Sequence, residues 1–134
     1  MTATKAARIR SIAGLVIHVL IGAILIMAGS FKLFGTMPPE AIDQLQKSGL
    51  LEDLKLIGTG ELITAITLII PWTSSLGVLL ASGFWGGVIA THMATDGQIA
   101  AGSVFLALTW LGGWLRNPEL LASFRRKRPA DPTP

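Results

Sequence analysis

Residues 11–34 read SIAGLVIHVLIGAILIMAGSFKLF, an apolar run interrupted only by His18 and Lys32. Crossing the hydrocarbon core of a bilayer, about 30 Å, takes roughly 20 helical residues, and this run is long enough. Within it Gly14, His18, Gly22, Leu25, Gly29 and Lys32 recur at three- or four-residue spacing. One helix face is therefore small or polar, and the rest is Ile, Leu, Val and Met. That stripe is expected to face other helices, since small residues let backbones approach and polar groups avoid lipid.

Three similar stretches follow. The second, residues 54–71, contains Glu61 and stops at Pro71; the third, 75–95, closes on His92 and Thr95, with Asp96 beyond; the fourth, 99–116, stops at Arg116. Lipid offers no partner for free backbone groups, so helices or a closed barrel must span it, and no barrel-like alternation of polarity is present. Of the 134 residues, 51% are hydrophobic and only 14% charged, against about 25% charged in soluble domains. Mean hydropathy is +0.60. A short chain buries the smallest fraction of its surface, so the apolar surplus is expected to face lipid. The expected fold is an all-α integral membrane bundle of four transmembrane helices. With no cysteine, disulfides, thiol chemistry, thiolate zinc sites and cysteine-ligated iron–sulfur clusters are excluded.

Lys5, Arg8 and Arg10 precede the first stretch, and Arg116 with Arg125, Arg126, Lys127 and Arg128 follow the fourth. An even number of spans places both ends on one side. The first loop instead carries Glu40, Asp43, Glu52 and Asp53 against Lys47 and Lys55. The positive-inside rule then predicts cytoplasmic termini and an external acidic loop. Three basic residues before an apolar run imitate a secretory signal, but this run is too long for one. The 125–128 cluster is expected to lie on anionic headgroups, not nucleic acid, because it directly follows a span. Residues 1–10 form a basic terminus and 117–134 a basic, largely disordered tail. In the external loop, Pro38-Pro39-Glu40 predicts a helix start and Ser48-Gly49 a stop, with Ile42 and Leu45 on one face. This gives a short amphipathic segment at the outer interface.

Charged groups inside a span are costly, about 2.5–3.5 kcal/mol on insertion scales, so they are paired or functional. By helix rise, Lys32, Glu61 and His92 all fall in the outer half of the bilayer. A Lys32–Glu61–His92 cluster is expected, with Thr64 and Trp85 lining the space beneath it and Trp110 as a further wall. His18 falls in the inner half, without a charged partner, and reads as a packed or hydrogen-bonded histidine. A Glu–His pair suits proton relay or hydrogen bonding to a polar ligand head, such as a quinone carbonyl gripped by aromatic side chains. Bis-histidine haem is disfavoured, because His18 and His92 differ in depth by more than about 10 Å. Glu61 and His92 alone are too few for a metal site. No phosphate loop, nucleophile elbow or His-Glu-x-x-His motif occurs, and no flavin motif.

The chain resembles the DoxX-like family of small bacterial membrane proteins over about residues 20–118. The resemblance rests on Gly29-Ser30-Phe31-Lys32-Leu33, Gly58-Thr59-Gly60-Glu61-Leu62, Ile70-Pro71, Thr91-His92 and the 110–116 stretch from Trp110 to Arg116. It implies a four-helix membrane bundle in the bacterial inner membrane and matches Lys32, Glu61 and His92 to recurrent polar positions. The family takes its name from a subunit linked to quinone-dependent sulfur oxidation, which implies membrane redox partners. The expected function is a quinone- or small apolar ligand-binding subunit. In it Glu61, His92 and Lys32 serve as the chemical groups, and Ser30, Thr64, Trp85 and Trp110 contact the ligand. Alternatives are a lipid or terpenoid carrier, an assembly factor for a membrane complex, or an intramembrane isomerase using Glu61 and His92. Gly83-xxx-Gly87 permits close helix contact within one chain or in a homo-oligomer.

Overall fold

Helix α1, Ala3–Phe34, is 32 residues long, about 48 Å at 1.5 Å per residue. It starts eight residues before the apolar run because residues 3–10 hold good helix formers and no glycine or proline. Gly35 and Pro38-Pro39 end it. Helix α2, Pro39–Lys47, has proline in its first turn, where a missing N–H costs nothing. It is closed by Gly49 at φ +73°. The Gly49 N–H donates to the Gln46 carbonyl at 3.1 Å and that of Leu50 to Leu45 at 2.9 Å, the paired bonds of a left-handed helix terminus.

A 3-10 turn at Leu51–Asp53 leads into α3, Leu54–Ile69, and another at Pro71–Thr73 into α4, Ser74–Ala94. Ile70 is extended, as the residue before a proline prefers. Helix α5, Ala100–Arg116, is followed by a 3-10 segment at Pro118–Phe124. The computed structural model describes residues 2–124. The first part of the expected tail is therefore helical, and Leu120 packs against the core. The 125–128 basic cluster and the expected disorder after it lie outside the described residues.

The described residues are all-helical, with five α-helices. Two stretches are long and apolar enough to cross a membrane, α1 and Pro71–Ala94. Helices α3 and α5, with 16 and 17 residues, are shorter because Pro71 and Pro118 cut them off. Helix α1 packs on α3 and α5, and α4 closes the ring by packing on the same two. Successive members of the ring are antiparallel: Gly22 lies against Ile69 while Gly29 lies against Gly58, and Gly102 against Ile89 while Gly113 lies against Val78.

Inside the ring the core is small: Ile21, Leu25, Ala65, Leu68, Val78, Ala81 and Trp85. The Trp85 ring stacks on Phe105 with centroids 4.8 Å apart. Outside it, large apolar side chains are exposed on all four helices, among them Leu20 (60%), Leu56 (73%), Leu79 (65%) and Val104 (56%). The buried residues of α1 are Gly14, His18, Ile21, Gly22, Leu25 and Gly29, largely the stripe read from spacing.

Backbone contact sets the helix spacing. A Cβ on Gly77 would collide with the backbone of Thr67 and Leu68. On Gly29 it would sit 2.8 Å from the Gly58 carbonyl oxygen, and on Gly58 3.0 Å from that of Gly29. In contrast, a Cβ on Gly60 or Gly86 meets nothing within 4 Å. Gly77→Ala and Gly29→Ala are therefore expected to destabilise by about 1–3 kcal/mol through overpacking. Gly60→Ala and Gly86→Ala are expected to be neutral or to stabilise by up to about 1 kcal/mol, from the lower helix entropy cost. Thermal unfolding in detergent checks both pairs.

Candidate functional site

The reciprocal approach of Gly29 and Gly58 also places the charges. In an antiparallel pair, each glycine faces the residue one turn beyond the other. A Cβ on Gly29 would lie 3.2 Å from Glu61 Cβ, and one on Gly58 3.1 Å from Lys32 Cβ. Both long side chains thus cross flat glycine surface to reach each other. Lys32 Nζ donates to Glu61 Oε1 at 2.8 Å and Oε2 at 3.0 Å. The Glu61 side chain is 2% exposed and that of Lys32 14%, so water does little to screen the pair. Lys32 lies in the last turn of α1, where the helix dipole also favours a cation.

His92 lies in the last turn of α4. Its Nδ1–H donates to the Val88 carbonyl at 2.9 Å, since a carbonyl only accepts. The ring is thereby oriented, and Nε2 accepts when neutral and donates when protonated. Its backbone is held by the helix terminus: Asp96 takes a left-handed φ of 52°, and the Gly97 N–H donates to the His92 carbonyl at 2.7 Å.

Lys32, Glu61 and His92 line one cavity of about 630 Å³ between α1, α3 and α4, beneath α2. Its other walls include Ala41, Leu45 and Leu50 from the loop, Ile57 from α3, and Gly83, Phe84, Gly87 and Val88 from α4. Leu45 and Leu50 are the two ends of the hydrogen bond that closes α2, so the helix terminus itself helps roof the cavity. A Cβ on Gly83 or Gly87 would meet nothing within 4 Å. Among the described residues nothing packs against the side of the helix where a Cβ would stand, and the two glycines widen the cavity.

The expected ligand contacts lie elsewhere. Thr64 and Trp85 are buried in the helix ring, Ser30 is half-buried and Trp110 37% exposed, and none of the four lines the cavity. Trp85 is drawn inward by its stack on Phe105, leaving its Nε1 buried without a partner among the described residues. Phe84, beside it in sequence, takes the cavity wall instead.

A second polar assembly lies about 21 Å along α1 from Lys32, by helix rise. His18 is fully buried and donates from Nε2 to the Thr109 carbonyl at 3.0 Å. Its Nδ1 accepts from Arg116 Nη1 at 2.8 Å. The expectation that His18 has no charged partner is therefore corrected. Arg116 also donates to the Leu68 carbonyl at 2.6 Å and the Ile69 carbonyl at 3.1 Å, satisfying carbonyls that the end of α3 leaves without helical partners. The signal was the spacing Thr109, Gly112, Gly113, Arg116, which puts the arginine on the buried face of α5. This cluster ties α1, α3 and α5 together, and His18, Thr109 and Arg116 are not among the residues that line the cavity.

No family model, curated protein or solved structure matches the chain. Among the described residues no group of three or more histidine, cysteine, aspartate and glutamate side chains could hold a metal.

The buried pair makes a sharp stability prediction. Lys32→Met leaves Glu61 buried without its counter-ion and is expected to lose about 3–5 kcal/mol, whereas Lys32→Met with Glu61→Leu recovers most of it. Thermal unfolding of the two variants in one detergent checks this.

Proposed function

We propose that the chain is a DoxX-like, four-span inner-membrane protein. Its outer cavity binds a quinone or a similar flat, apolar molecule with a hydrogen-bonding head, in association with membrane redox chemistry. The membrane reading is supported by the two long apolar helices and by the apolar side chains exposed around the whole ring. Soluble monomers rarely leave so much apolar surface open. Helices α3 and α5 carry exposed Leu56, Ile63 and Ile66, and Val104, Leu111 and Trp114. Their lengths lie near the lower limit for crossing, about 17 residues, and mild bilayer thinning accommodates the shortfall. The basic ends then lie in the cytoplasm and α2 lies outside.

The observation that carries the ligand reading is the cavity of about 630 Å³, apolar over most of its wall, with a buried ion pair and an oriented histidine at its edge. That volume suits a small ligand, for which sites run about 300–1,000 Å³. Lys32 uses two of its N–H groups on Glu61 and has a third for an oxygen of the ligand head. His92 Nε2 either accepts from a ligand hydroxyl or, protonated, donates to a carbonyl. Glu61 holds Lys32 in place and takes part in proton exchange at the head. With no cysteine, electrons for a redox step come from the ligand or from a partner protein.

Mass spectrometry of protein purified from native membranes tests this reading. A quinone is expected at near-stoichiometric occupancy, falling about tenfold or more in Glu61→Gln, which releases Lys32 from its place and with it the charge-assisted contact to the ligand head, worth about 1.5–3 kcal/mol. A terpenoid or sterol-like lipid in its place would turn the reading to a carrier or an isomerase. A consistently empty protein would overturn the ligand reading.

A further inference from the structure

His92 borders a second cavity. About 330 Å³ in volume, it lies between α2 and the end of α4, and its lining includes Glu40, Asp43, Gln44, Lys47, His92 and Gln98. Its character is opposite to that of the first, with charged and amide groups in place of Leu, Ile and Phe. Gln44 and His92 line both cavities. The Asp43–Lys47 ion pair on its rim is 61% and 65% exposed, so this cavity opens to water.

The ring is placed between the two. Its Nδ1–H is committed to Val88, which leaves Nε2 as the nitrogen able to exchange a proton. A Cβ on Gly97 would lie 2.6 Å from His92 Cδ2 and 3.1 Å from Gln44 Nε2. The Cδ2 side of the ring therefore lies against Gly97 and Gln44, both of which line the polar cavity. On the polar side the groups around it are Glu40, Asp43 and Lys47 of α2; on the apolar side they are Lys32 of α1 and Glu61 of α3.

We infer that the polar cavity is an aqueous port from the outer face and that His92 exchanges protons between its water and the head of a molecule in the apolar cavity. A proton leaving a ligand hydroxyl goes to Nε2, and from Nε2 to water in the port; uptake runs the same route in reverse. Nδ1 keeps its hydrogen throughout, so the ring returns to the same neutral form. The ligand half of this inference rests on the function proposed above; the port does not.

The absence of native cysteine makes the test clean. In right-side-out vesicles, His92→Cys is expected to react with a membrane-impermeant sulfonated maleimide added outside, while His18→Cys does not. Adding Gln98→Trp, which fills the port, is expected to slow labelling of His92→Cys at least tenfold. Labelling only after denaturation, or only from the inner face, would overturn the port. In the wild-type protein, nitrogen NMR is expected to show the His92 ring exchanging its hydrogen with external water at least tenfold faster than the His18 ring; a His92 ring that exchanges no faster than His18 would overturn the exchange role. Labelling that persists in a protein purified without any ligand leaves the port standing and removes only the ligand reading.

Discussion

Two backbones in contact at Gly29 and Gly58 hold the ion pair on which the site depends. Helices carrying full side chains at that crossing would stand further apart, and Lys32 and Glu61 would each have to reach across apolar surface alone. A buried charge without its partner is far costlier than the pair is favourable. The glycines and the ion pair are thus one device: the small residues permit the approach, and the charges forbid the helices to slide. Each charged side chain lies over the other helix's glycine, which fixes axial register as well as distance.

The rest of the molecule repeats this logic at the far end. There Gly14 and Gly112 bring α1 and α5 together, and His18 with Arg116 ties them to the carbonyl end of α3. The two polar assemblies differ in what surrounds them. The His18–Arg116 cluster spends its donors on backbone carbonyls and the histidine nitrogen, which suits a clamp. The Lys32–Glu61 pair and His92 border open space, which suits binding and proton exchange. Glycine has two uses in one helix of this bundle: at Gly77 it lets α4 touch α3, and at Gly83 and Gly87 it leaves room.

Much of this was legible in the residues because the physics involved is local. A 3.6-residue period shows which face of α1 is small and polar, and that face is the buried one. Pro39 and Gly49 mark the ends of α2 through their own backbone preferences. Less legible was where α1 begins: the apolar run starts at residue 11, while the helix starts at Ala3. The aromatic residues misled for a different reason: Trp85 and Phe84 are neighbours in sequence, and only the packing of α4 against α5 decides which enters the core and which faces the cavity.

The amino-acid sequence alone determined the all-helical character, the polar stripe of α1, the loop helix and the identity of the few charged groups among apolar ones. Each depends on periodicity or on one residue's backbone preference, and both act within a few residues. Tertiary structure alone decided that Arg116 answers His18 across 98 positions, and that Thr64 and Trp85 belong to the core. It also decided that His92 stands between an apolar and a polar cavity. Those outcomes depend on which helix faces meet and at what height. That is settled by glycine contacts and buried hydrogen bonds between segments far apart in the chain, where no local pattern reaches.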